Sequence, residues 1–257
     1  LSLFTDCSFA TQPTRGLGLG CVLDPSSSDA PSFLVVGDSH ADVMYPAFAR
    51  ASRDSGRQGR LVHTLGCPPL VPANIDGCRH MQQAALEMIA RDRISDVFLI
   101  ARFANYAPRD AFAARLETTI TTYTDRGARL YIVTHLPEQP HLNLKRWARE
   151  RLWLRLGVGD PAEIVRSQSA ARQEHDDQRA DADAVYAAHR NDPRVTFIDL
   201  TPVYCNAQTC PAGTAERPFF IDDNHVSADG ALLASNALLT YLSNPSSASS
   251  NAVLPSR

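Results

Sequence analysis

Five short apolar runs, each followed by a stretch with helical character, constrain this chain more than any other feature. The runs are residues 32–37, 60–65, 96–101, 129–134 and 194–200. Most are near-continuous Val, Leu, Ile and Phe, the pattern of strands buried on both faces. Helical periodicity follows at 41–53 (Val43, Ala47, Phe48, Ala51), with further helices at 81–93 and at 110–126, where Gly127 offers a C-cap. Strand–helix alternation predicts a parallel sheet covered on both faces, a three-layer α/β/α sandwich with five parallel strands. A length of 257 residues suits one such domain. In such sheets ligands bind outside the carboxyl ends of the strands. The residues just after each strand therefore matter most: Asp38, Ser39 and His40; Gly66 and Cys67; Arg102 and Phe103; His135; and the segment after Leu200.

Around this α/β body of residues 32–243 the chain carries three other kinds of segment. Residues 1–31 read as an irregular N-terminal arm. Residues 140–190 read as a polar, Arg-rich helical insertion, with helices at 144–155 and 161–189. Residues 244–257 are rich in Ser, Asn and Pro and read as a disordered tail. A last helix is expected at 227–242 with Ser227 as N-cap. Hydrophobic residues at 44% and charged residues at 21% exclude wholesale disorder. A net charge of −3 argues against a nucleic-acid partner, which needs a basic surface. Apolar runs such as 33–36 and 97–101 are far short of the roughly 20 residues that cross a bilayer, so no membrane span is expected. The chain starts at Leu1 with no signal peptide and reads as a piece of something larger.

The six cysteines form three sequence-local pairs: Cys7 with Cys21, Cys67 with Cys78, and Cys205 with Cys210. Close, even pairing beside Pro or Gly suggests disulfides and an oxidising compartment. Zinc is the rival reading, weakened by the lack of any CxxC or CxxH spacing; no metal site is expected.

Ser39 directly follows the first strand and opens a helix, where N–H groups favour a developing oxyanion. A serine hydroxyl needs a base to attack. The candidate base is His225, in Phe220-Ile-Asp-Asp-Asn-His225. In Asp-x-x-His a tight turn can fold the carboxylate back onto its own imidazole, fixing the tautomer. Asp222 fits that role and Asp223 is the alternative. The plainer reading of Gly37-Asp-Ser is a helix cap in which Asp38 bonds the following N–H groups. His40 could cap the helix or touch the chemistry. His135 could touch substrate or sit on a surface loop. Tyr106, Trp147 and Trp153 could stack on sugar rings or pack as core.

Gly37-Asp-Ser-His40 together with Asp222-Asp-Asn-His225 resembles the SGNH hydrolase superfamily, whose fold is a flavodoxin-like α/β/α sandwich. Gly66-Cys-Pro-Pro-Leu70, Ala101-Arg-Phe-Ala-Asn-Tyr106, the Cys205 and Cys210 pair, and His225-Val-Ser227 are similar to one branch. That branch is the periplasmic SGNH domain of acyltransferase family 3 proteins, which O-acetylate surface polysaccharides such as lipopolysaccharide O-antigen. The likeness spans roughly residues 5–243. It implies Ser39 as nucleophile, His225 as general base and Asp222 as its orienting acid. It also implies oxyanion donors at the Ser39 and Gly66 backbone N–H groups. The family's third donor is an Asn just after the third strand. Here Arg102 and Phe103 hold that place and Asn105 comes slightly late, so Asn105, Arg102 or only two donors remain open.

The resemblance implies a serine acyl-transfer enzyme with a polysaccharide acceptor and no cofactor. Its acyl donor would come from a membrane acyltransferase domain, which places the chain in the periplasm, tethered to the inner membrane. Two other readings stay beside it: a stand-alone secreted carbohydrate acetylesterase, and a non-catalytic glycan-binding module on the same scaffold.

Overall fold

The computed structural model describes residues 20–24, 26–27, 29–105 and 109–243. The central sheet has six strands: β1 (Cys21–Val22), β2 (Phe33–Gly37), β3 (Gly59–His63), β4 (Asp96–Ile100), β5 (Arg129–Val133) and, after the short β6 (Ala170–Ala171), β7 (Val195–Ile198). Their order is β1-β3-β2-β4-β5-β7. The five strands from β3 to β7 in this order are parallel. They are the five strands read from the apolar runs, in a flavodoxin-like order. A sixth strand, β1, adds antiparallel to the edge with Cys21 opposite Leu61. A strand of two residues in a Gly-rich arm carries no periodicity, which is why sequence alone does not predict it.

Every residue of β2 and β4 is buried. Alternate side chains serve two cores. Leu34, Val36, Val97, Leu99 and Ile132 pack with Met81, Met88, Leu116 and Ile120 on one face. Phe33, Val35, Phe98, Tyr131 and Val133 pack with Phe48 and Leu238 on the other. Each fully buried side chain of this size contributes about 1.5–3 kcal/mol, so both faces hold the strands in place.

The helices are α1 (Ser39–Val43), α2 (Tyr45–Ser55), α3 (Asp76–Asp92), α4 (Arg109–Thr124), α5 (Leu144–Arg155), α6 (Pro161–Arg166), α7 (Arg172–Ala188), α8 (Thr201–Tyr204), α9 (Ala228–Leu232) and α10 (Ser235–Ser243). The helix expected at 41–53 begins at Ser39 and breaks at Met44, because Pro46 has no N–H to continue the ladder. The single helix expected at 161–189 is two helices. Between them β6 pairs with β8 (Thr209–Cys210), ahead of a small hairpin of β9 (Gly213–Thr214) and β10 (Arg217–Pro218). The last helix, capped by the Ser227 hydroxyl on Gly230 N–H, is likewise two segments. Trp147 is 2% exposed and packs with Ile164 and Ala212, so it is core and not a sugar platform.

Cys67–Cys78 and Cys205–Cys210 are disulfide-bonded. Cys7 and Tyr106 lie outside the described residues, as do most of the 1–31 arm and the 244–257 tail.

Candidate active site

The chain reverses direction across the sheet between β2 and β4, the place where such folds open a crevice. Gly37 ends β2 opposite Ile100 of β4. Asp38 is the N-cap of α1: its buried carboxylate accepts from His40 N–H at 2.8 Å. It also accepts from Arg102 N–H at 3.2 Å, joining the loops after β2 and β4. This anchored turn presents Ser39, half-buried, at the carboxyl edge.

His225 comes from the other end of the chain. Residues 220–226 form a tight loop, closed by a bridge between Phe220 and Val226 and by Ile221 N–H on His225 C=O at 2.8 Å. The loop brings His225 Nε2 to 2.8 Å from Ser39 Oγ across 186 residues of sequence. His225 Nδ1 lies 2.8 Å from Asp222 Oδ2. Asp222 Oδ1 accepts from the backbone N–H groups of His225 at 2.7 Å and Asn224 at 2.9 Å. Burial alone would raise the Asp222 carboxyl, but the Asn224 and His225 N–H groups and the imidazole hold it below its ordinary value. Asp223 faces elsewhere: its carboxylate accepts from Asn224 Nδ2 at 2.8 Å. Its carbonyl accepts from Gln139 N–H at 2.6 Å.

The other predicted residues divide. His40 is buried, with its ring centroid 5.0 Å from that of His225 and its Nδ1 3.4 Å from Asp38. Gly66 is exposed after β3, at φ +71, followed directly by the bonded Cys67. Asn105 ends the 3-10 turn Phe103–Asn105 and is exposed. Oriented by its hydrogen bonds, its amide oxygen accepts from Arg102 Nε and Nη1, each at 3.0 Å, which leaves its NH₂ as donor. Arg102 makes a two-pronged pair with Glu138 at 2.6 and 2.5 Å. Two expectations need correction. Phe103, 1% exposed, packs in the core beside Phe112 and does not face the crevice. His135 is not a surface histidine but 3% exposed, with Nε2 3.2 Å from Glu138.

Sequence reasoning missed Glu138, Gln139 and the His63–Asp42 pair. Burial opposes charge on Glu138, yet contacts with His135 and Arg102 bring its carboxyl to about 2. Gln139 is fully buried; its side chain donates to Cys210 C=O at 2.9 Å and accepts from Ala170 N–H at 3.0 Å. It thus ties the catalytic loop, the Cys205–Cys210 loop and the helical insertion together. Under α1, His63 Nε2 lies 3.4 Å from Asp42, and burial pushes its imidazole down despite that carboxylate. In sequence, Pro-Glu-Gln-Pro reads only as a polar turn, and His63 only as a strand residue. Among the described residues, Glu117, His189 and Asp192 are grouped as metal ligands could be. Arg194 occupies both carboxylates.

A serine on a histidine on a carboxylate can activate a hydroxyl for attack on a carbonyl carbon. A family described as an SGNH domain fused to AT3 domains matches residues 6–240. No curated protein matches the chain. Among solved structures, the periplasmic domain of a Salmonella ser. Paratyphi A lipopolysaccharide acetyltransferase superposes with TM-score 0.58 at 15% identity, over 81% of this chain and 84% of that one. A candidate SGNH hydrolase from Slackia heliotrinireducens gives 0.53 at 18%, over 82% and 98%. A GDSL-like lipase from Bacteroides thetaiotaomicron gives 0.50 at 8%, over 83% and 88%. At these identities the likeness speaks for the fold.

Proposed function

We propose that this chain, which belongs to the family of SGNH domains fused to AT3 domains, transfers acetyl groups to surface polysaccharide through an acyl-Ser39 intermediate. The observation that carries the reading is the continuous Ser39–His225–Asp222 hydrogen-bonded chain, 2.8 Å at each link. His225 Nε2 takes the Ser39 proton as Oγ attacks the acetyl carbonyl. The tetrahedral intermediate collapses, the leaving oxygen takes that proton from His225, and Ser39 keeps the acetyl group. A sugar hydroxyl, deprotonated by His225, then attacks the ester; the acetyl group passes to the sugar and Ser39 recovers its proton. Asp222, held ionised, keeps Nδ1 protonated and Nε2 free to accept. The Ser39 and Gly66 N–H groups and the Asn105 NH₂ serve as oxyanion donors, with Arg102 and Glu138 orienting Asn105.

Lipopolysaccharide is the acceptor class that the acetyltransferase neighbour favours, with its O-antigen as the acetylated part. Two disulfides fit an extracytoplasmic site. Among the described residues no helix is long and apolar enough to cross a membrane, so an AT3 domain would deliver the acetyl donor and tether the chain at the inner membrane. The test is the mass of the polysaccharide from cells carrying Ser39→Ala in the full-length protein. Acetylation should be lost. Wild-type acetylation would overturn the transfer role and leave the carbohydrate esterase reading.

A further inference from the structure

The helical insertion has a surface that the acyl-transfer chemistry does not use. Helix α5 points Trp147 inward and turns much of its remaining apolar surface outward. Leu152 is 58% exposed, Trp153 51%, and in the following turn Leu156 is 65% and Val158 56% exposed. An apolar cluster of this size, left facing water, marks a contact surface. The same stretch is cationic. Residues 144–158 hold five Lys and Arg (Lys145, Arg146, Arg149, Arg151, Arg155) against one acid, Glu150, in a chain whose net charge is −3. Arg146 is used internally, on Glu150 at 2.6 Å. Among the described residues, Lys145, Arg149, Arg151 and Arg155 have no carboxylate within ion-pair distance. The neighbouring acid Glu163 is taken by Arg166 at 2.5 Å, and Asp160 lies 3.7 Å from the same guanidinium.

We propose that α5 and the turn after it form a docking face for an anionic phospholipid bilayer surface. Leu152, Trp153, Leu156 and Val158 would enter the headgroup boundary while the exposed Lys145, Arg149 and Arg155 meet lipid phosphates. The charge selects this occupant. A neutral glycan would leave these cations without counter-charges. A second copy would bring the same cations face to face across a two-fold axis. The insertion is anchored to the catalytic loop through Gln139 and Asp223, so docking α5 would also fix the height of Ser39 above the membrane. The inference does not depend on the acyl-transfer reading, because vesicle binding needs no turnover: Ser39→Ala should bind vesicles as the unaltered chain does.

The test is sedimentation of the 257-residue chain with vesicles of phosphatidylglycerol and phosphatidylcholine, against phosphatidylcholine alone. Binding should require phosphatidylglycerol and fall as salt is raised from about 0.1 to about 0.5 M. Reversing Arg149 and Arg155 to Glu should weaken it at least roughly 25-fold, about fivefold for each cation lost. Leu152→Ser with Leu156→Ser should weaken it too. These side chains are exposed, so the melting temperature of each variant should stay close to that of the unaltered chain. The chain has two tryptophans and Trp147 is buried, so a blue shift on adding vesicles reports Trp153 and should vanish in Trp153→Phe. Equal binding to both vesicle types, or none to either, would overturn the proposal. So would a Trp153 signal with soluble polysaccharide in place of vesicles, or self-association that the Leu152 and Leu156 substitutions abolish.

Discussion

Gly37→Ala should separate the nucleophile from the sheet that presents it. A Cβ at Gly37 would stand 1.8 Å from Ile100 O, 2.7 Å from Ala41 Cβ and 2.9 Å from the Ile100 carbonyl carbon. Carbon and carbonyl oxygen normally approach to about 3.3 Å, so the overlap is about 1.5 Å. Neither neighbour is a flexible tip. Ile100 sits opposite Gly37 in the parallel ladder, and Ala41 belongs to α1. Either the strands part or α1 lifts. Overpacking of a tight core costs about 1–3 kcal/mol, and more when backbone must move, so about 4 kcal/mol is expected. At about 2–4 °C per kcal/mol for a domain of this size, the melting temperature should fall by roughly 8–16 °C. Ser39 is two residues on, and a displacement of about 1 Å at reacting atoms costs on the order of 100-fold in rate. Thermal unfolding and kcat/KM on an aryl acetate, measured on one preparation, read both effects. Gly66→Ala is the contrast: it meets nothing within 4 Å and is strained only by its φ of +71, about 1–2 kcal/mol. A Gly37→Ala protein that melts within about 2 °C of the parent and keeps most of its activity would refute this reasoning.

Three further outcomes can be checked. Replacing Cys67 and Cys78 with Ser removes a link across 11 residues, worth on the order of 3 kcal/mol. Urea unfolding should show that loss, and kcat should fall as well, because Gly66 adjoins the clamp. Glu138→Gln frees Arg102 and hence Asn105, so kcat should drop roughly tenfold with KM little changed. Its stability effect has a definite sign. The folded Glu138 carboxyl is depressed to about 2, so its contribution is present above about pH 4.5 and is lost as pH falls through about 2. Melting curves of parent and variant should therefore differ near neutrality and converge in acid. Asp222→Asn should lower kcat by roughly 10⁴-fold, through the wrong imidazole tautomer. Asp223→Asn, whose carboxylate accepts from Asn224 and among the described residues meets no histidine, should change kcat little; the reverse order would mean the wrong carboxylate is assigned.

The parallel strands were legible because burial on both faces writes itself as near-continuous Val, Leu and Ile. Ser39, Asp222 and His225 could be singled out because each stands in a short motif beside a strand end or turn. What tertiary packing decides was not legible. His135 and Glu138 look like solvent-facing loop residues, but the insertion and the loop after β4 close over them. Phe103 follows a strand at the carboxyl edge, as a substrate contact would, yet the 3-10 turn rotates it into the core against Phe112. Arg102 precedes Asn105 by three residues, and nothing local says that it pairs with Glu138 and orients that amide. The break at Met44 was readable from Pro46; the β6–β8 pairing that splits the insertion was not, since two-residue strands carry no period.

The central claim is that Ser39 is an activated nucleophile driven by His225. The direct measurement is labelling of the native chain with a fluorophosphonate, followed by peptide mapping. The account predicts label on Ser39, blocked by denaturation, absent in Ser39→Ala and strongly reduced in His225→Ala. An unlabelled native chain, or undiminished label in Ser39→Ala, would contradict it.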